Sequence, residues 1–205
     1  MSREVVLAPG LWMPGAAMAL LATRLAGRGY TVRVFSYRGR SPFEANVERL
    51  ARFARESLDG RQAHFVGHSL GGVLVLDMLN RHPEVEPGAV VLLGAPVRGC
   101  LAGRRLGGAP IGRWMMGACG PLWEERTARW TRGAPLGVVA GTLPMGLGRA
   151  LGGLPGMNDG VVCVEETTVE GMAGRALVRR GHSMLIMSGQ VGELVDRFLA
   201  SGRFA

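Results

Sequence analysis

Residues His64 to Gly72 read HFVGHSLGG and place one serine among glycines. Ser69 has Gly67 and Gly71 two positions away on either side, the G-x-S-x-G spacing. An apolar run precedes it and VLVLDML follows, so the serine falls on a strand, turn and helix junction. In a junction that tight, side chains at the flanking positions would collide with the neighbouring strand or helix, and glycine removes the collision. A hydroxyl standing clear of both elements can attack a carbonyl once a base takes its proton. The chemistry on offer is nucleophilic acyl transfer. An ordinary glycine-rich connection would carry similar letters in a chain with 33 glycines, so the surrounding elements must decide.

Those elements alternate. EVVLA (Glu4 to Ala8) reads as a buried strand and AAMALLATRLAG as the helix after it. YTVRVFSY then reads as a strand, and PFEANVERLARFARESL, with Pro42 at its start, as a long amphipathic helix. AHFVG leads into the serine corner, and LGGVLVLDMLNR is the helix that leaves it. AVVLLGAP (Ala89 to Pro96), LGVVAGT (Leu136 to Thr142) and RALVRRG (Arg175 to Gly181) supply three more strands, and LIMSGQVGELVDRFLASG a closing helix. About six mostly parallel strands with helices on both faces are expected, an α/β fold. The 205 residues, 47 % hydrophobic, suit one domain spanning 1–205. There is no internal repeat and no low-complexity linker.

With strand, corner and helix in place, GHSLGG resembles the α/β-hydrolase superfamily, in particular its small bacterial lipase-like and esterase-like members. The resemblance covers nearly the whole chain and implies a compact α/β-hydrolase fold. It also implies that an acid and then a histidine follow the serine, each at the end of a later strand. Of the histidines, His64 lies inside a strand, His68 adjoins the serine too closely to turn onto it, and His82 in NRHPE ends a helix. His182 in RRGHSM comes late, between the last strand and the last helix, where the family keeps its general base. The same order selects Asp159 in PGMNDGVV as the acid, 23 residues before His182, with Glu165 and Glu166 in reserve. NDG is also an ordinary turn signal.

The oxyanion that develops in acyl transfer needs donors. Nucleophile-elbow logic gives the backbone N–H of Leu70 as one, and the loop APGLWMPG gives that of Leu11 as the other. At that loop the chain departs from the family's frequent His-Gly, because Pro9 stands in place of the histidine. The expected activity is hydrolysis of a carboxylic ester, small and possibly lipid-like, through an acyl-enzyme on a Ser69, Asp159 and His182 triad, with neither metal nor organic cofactor. A thioesterase, amidase or acyltransferase on the same residues is the alternative; a non-catalytic binding protein of the same fold is a further one. The serine itself argues against the dehalogenases of the family, in which an aspartate is expected.

One stretch breaks the alternation, residues 97–133, which hold Trp114, Met115, Met116, Trp123 and Trp130. It is expected to form a small cap over an acyl pocket lined by Trp12, Met13, Trp114 and Met115, with Trp123, Thr127 and Trp130 on one helical face. Whether it is a lid or core packing stays open.

All 24 basic residues are arginine, and the formal net charge is +8. The arginines are scattered through every element, which speaks against a nucleic-acid interface and leaves room for weak attraction to anionic membrane surfaces. Cys100, Cys119 and Cys163 contain no C-x-x-C pair, so neither a disulfide framework nor a zinc site is suggested. Near the amino terminus, Glu4, Pro9 and Pro14 interrupt what would otherwise pass for a signal peptide, and no run approaches roughly 18 apolar residues. A cytoplasmic location is expected, and the oligomeric state is open.

Overall fold

Strands that are apolar on both faces need cover on both sides. In the computed structural model, which describes residues 3–146, 148 and 152–205, they receive it. Strands β1 (Glu4–Ala8), β2 (Thr31–Val34), β3 (Ala63–His68), β4 (Pro87–Leu93), β5 (Leu136–Gly141) and β6 (Gly174–Val178) form one sheet in the order β2-β1-β3-β4-β5-β6. Every neighbouring pair is parallel. β1, β3 and β5 are buried at every residue, whereas the edge strand β2 is partly exposed.

Side chains alternate across a strand, so each strand feeds two cores. Val5, Leu7, Val66, Val91, Leu93 and Val139 meet α1 (Ala19–Ala26) and the C-terminal helix α6 (Gly189–Ser201) on one face. Val6, Phe65, Val90, Leu92 and Val138 meet α2 (Phe43–Leu58) and α3 (Leu70–Arg81) on the other. Helix α2 buries Phe43, Val47, Leu50, Ala51, Ala54 and Leu58, a spacing of three and four that leaves its arginines outside. Each large apolar side chain so buried contributes about 1.5 to 3 kcal/mol.

The order of the strands decides where a site can form. β1 lies between β2 and β3, so the chain leaves β1 toward one edge and later leaves β3 toward the other. Their carboxyl ends therefore open a crevice between diverging connections. The loop after β1 and the corner after β3 both lie there.

Residues 97–133 contribute α4 (Leu101–Gly107), α5 (Pro110–Met116) and a 3-10 turn at Gly117–Trp123. The expected helix joining Trp123, Thr127 and Trp130 is not formed. From Glu124 the chain is extended, and its amides pair with residues distant in sequence: that of Arg126 donates to the Arg98 carbonyl (3.2 Å) and that of Trp130 to the Glu170 carbonyl (2.8 Å). Trp123 and Trp130 reach the core separately, both buried.

Candidate active site

Ser69 sits between β3 and α3 with φ 54° and ψ −125°, a conformation that non-glycine residues rarely adopt. Its amide donates to the Leu93 carbonyl of the neighbouring strand at 2.9 Å, which helps to hold the strained corner. The flanking glycines are required by contact. A Cβ on Gly67 would strike the backbone of Gly71 and Gly72, and one on Gly71 would strike the carbonyls of Ala8 and Pro9.

Three side chains from separate strand ends converge on this corner. His182 Nε2 lies 2.9 Å from Ser69 Oγ, and His182 Nδ1 lies 2.7 Å from Asp159 Oδ2. Asp159 is buried, and its other oxygen, Oδ1, accepts the amides of Val161 (3.0 Å) and Val162 (2.7 Å). An oxygen acceptor facing Nδ1 holds the proton of His182 on that nitrogen, leaving the Nε2 lone pair for the serine hydroxyl. Backbone pairing adds rigidity, because the His182 amide donates to the Asp159 carbonyl at 2.9 Å.

The reserve acids are placed elsewhere. Glu166 accepts the amides of Leu101 (2.6 Å) and Cys163 (2.7 Å), which ties α4 to the turn at Val164–Thr167, and burial raises its carboxyl above the usual range. Glu165 is exposed on the same turn.

His68, set aside by sequence reasoning as too close to the serine, is part of the site. Its Nε2 lies 3.1 Å from the His182 carbonyl oxygen, which can only accept, so Nε2 carries the proton. Its Nδ1 is buried with no partner among the described residues, and burial, assisted by His182, pushes the ring down to about 3. The ring is neutral at ordinary pH.

Leu70 is the first residue of α3, where an amide has no intrahelical acceptor. Leu11 lies in the turn closed by the Met13 amide on the Gly10 carbonyl (3.2 Å). Trp12, also in this turn, has φ 62°, an outlier for a bulky side chain, and its indole Nε1 donates to the Met115 carbonyl at 2.8 Å. Gly10 lets this loop approach: a Cβ there would lie 3.0 Å from Ser69 Cβ.

A cavity of about 180 Å³ opens beside Ser69 and His182, and its lining is mostly apolar. Trp12 and Met13 line it, together with Cys100, Leu106, Met116, Trp123 and Val162. Trp114 and Met115 are not among the lining residues; they project to solvent from the far side of α5. The helical period explains the exchange. Gly112 and Met116, four residues apart, form the inward face of α5, so the methionine one position beyond Met115 enters the cavity. Among the described residues, no group of three or more His, Cys, Asp or Glu side chains is placed to hold a metal ion.

A parallel sheet with a serine corner at its switch point defines the class. The profile described as the alpha/beta hydrolase family matches residues 5–194, and the chain belongs to that family. Over 96 residues it is 34 % identical to a Mycobacterium phage D29 protein provisionally named a non-heme haloperoxidase, a match spanning 43 % of this chain and 34 % of that protein. The chain thus aligns with about a third of that relative's length. Among solved structures, the mature lipase BlEst2 of Bacillus licheniformis superposes with a TM-score of 0.72 at 19 % identity, covering 98 % of this chain and 91 % of that one. The RedJ thioesterase of Streptomyces coelicolor superposes with a TM-score of 0.62 at 19 % identity, covering 97 % and 90 %. At such identities the likeness is one of fold.

Proposed function

We propose that the protein hydrolyses carboxylic esters through an acyl-enzyme formed on Ser69. The observation that carries this reading is the Ser69–His182–Asp159 hydrogen-bond chain, 2.9 and 2.7 Å, opening onto an apolar cavity. As Ser69 Oγ attacks the ester carbonyl carbon, His182 Nε2 takes the hydroxyl proton. The negative charge that forms on the carbonyl oxygen is met by the amides of Leu70 and Leu11, the former backed by the positive end of α3. Collapse of the intermediate breaks the ester C–O bond, and the imidazolium returns its proton to the departing alkoxide. Water, deprotonated by the same nitrogen, then attacks the acyl carbonyl and releases acid and free serine. Asp159 orients the ring and stabilises the imidazolium. Each step uses groups of the chain or water.

In this reading residues 97–133 act as a cap, and Leu106, Met116 and Trp123 receive the acyl chain while Trp12 and Met13 border its entrance. The substrate is a small, apolar ester handled by a single domain in the cytoplasm. Covalent labelling by a fluorophosphonate probe, lost in Ser69→Ala, together with turnover of p-nitrophenyl esters, tests the assignment. Labelling with faster cleavage of the matching thioester would instead favour a thioesterase, and absence of labelling and turnover would favour a binding role.

A further inference from the structure

We infer that the outward face of α5 and the neighbouring Trp12 form a docking surface for an anionic lipid bilayer. Helix α5 is apolar on two sides. Gly112 and Met116 face inward, and a Cβ on Gly112 would strike the Leu106 carbonyl, so the helix is pressed close to α4. On the opposite side Ile111, Trp114 and Met115, spaced three and four apart, are 63, 63 and 36 % exposed. Trp12, half exposed, joins them through its hydrogen bond to the Met115 carbonyl and also lines the cavity beside Ser69. Scattered exposed apolar residues are common, but a contiguous group of four with two tryptophans at a cavity mouth marks an interaction surface.

Charge selects the occupant. The Arg40 guanidinium lies over the Trp114 ring at 4.6 Å, and Arg105 and Arg113 are exposed on the same segment. No aspartate or glutamate occurs between Val5 and Phe43 or between Pro87 and Trp123, the two stretches that supply this face. An apolar centre carrying tryptophan and bordered by arginines matches the boundary between acyl chains and anionic headgroups. A second copy docking on this face would bring like charges together.

The test is flotation of the full chain with phosphatidylcholine vesicles, with and without phosphatidylglycerol. Binding needs no turnover, so this result is separable from the ester-cleavage reading. Partition onto the anionic vesicles should exceed that onto neutral ones by about tenfold or more and fall as salt rises. Ile111→Asp should lower it about tenfold, and Arg113→Gln about fivefold, with thermal midpoints near that of the parent. Leu177→Asp, an equally apolar exposed site on β6, should leave it unchanged. Equal partition onto both vesicle types, or undiminished binding by Ile111→Asp, overturns the inference. So does a concentration-dependent dimer, lost in Ile111→Asp, in a protein that ignores vesicles.

Discussion

His68 donates its Nε2 proton to the backbone carbonyl of His182 at 3.1 Å, and the two rings lie 4.8 Å apart. The residue before the serine corner thus braces the segment that carries the proposed base. The contact spans 114 residues of sequence and is buried.

Burial of the His68 ring makes stability depend on acid. With the folded pKa of His68 lowered from 6.5 to about 3, the unfolded chain binds a proton below about pH 6.5 that the folded chain refuses. Stability therefore falls as pH drops from about 6.5 toward about 3, by up to about 1.4 kcal/mol per pH unit from this residue. His68→Phe should be less stable near neutrality by about 1 kcal/mol, yet lose stability less steeply through that window. Urea unfolding at a series of pH values measures both; an unchanged slope in the variant would place the titration elsewhere.

Ser69→Ala and His182→Ala should each lower ester turnover by roughly four to six orders of magnitude, and the double variant should be little worse than either. Steady-state rates with p-nitrophenyl esters provide the readout. Losses that add would count against a hydrogen-bonded unit.

Asp159→Asn should fold and lose about 10⁴-fold in turnover, because an amide can hold the ring in the wrong tautomer. Glu166→Gln, which weakens only the tie between α4 and the turn at Val164–Thr167, should cost about 1 kcal/mol of stability and leave turnover near that of the parent. The reverse pattern would transfer the acid's role to Glu166.

Leu106→Ala should reduce kcat/KM for hexanoyl esters relative to acetyl esters by about tenfold or more, since Leu106 lines the cavity. Trp114→Ala should leave that ratio unchanged, because Trp114 faces solvent. A chain-length effect at Trp114 alone would move the acyl site to the outer face of α5.

Cys100 and Cys119 should resist Ellman's reagent in the folded protein. Both are buried, and burial pushes their thiols up to about 12 and about 11, away from the reactive thiolate. Counting reactive thiols before and after denaturant checks this.

The alternation of apolar runs and helical periods in the sequence determined the six strands and their covering helices, because a short unbroken apolar run and a period of 3.6 are both properties of consecutive residues. It also determined the corner at Ser69, since only glycine fits at Gly67 and Gly71. Asp159 and His182 could be singled out by their order along the chain, but their distances could not, being set by how far β5 and β6 carry them across the sheet. The tertiary structure alone decided which side of α5 faces inward, so that Met116 rather than Met115 lines the cavity. It also decided that the stretch after Trp123 runs extended: a helix would have paired its amides within the segment, but Arg98 and Glu170, brought near only by folding, offered their carbonyls instead. The role of His68 was hidden for the same reason. Its neighbour in sequence is the serine, but its hydrogen-bond partner is a carbonyl that long-range packing delivers.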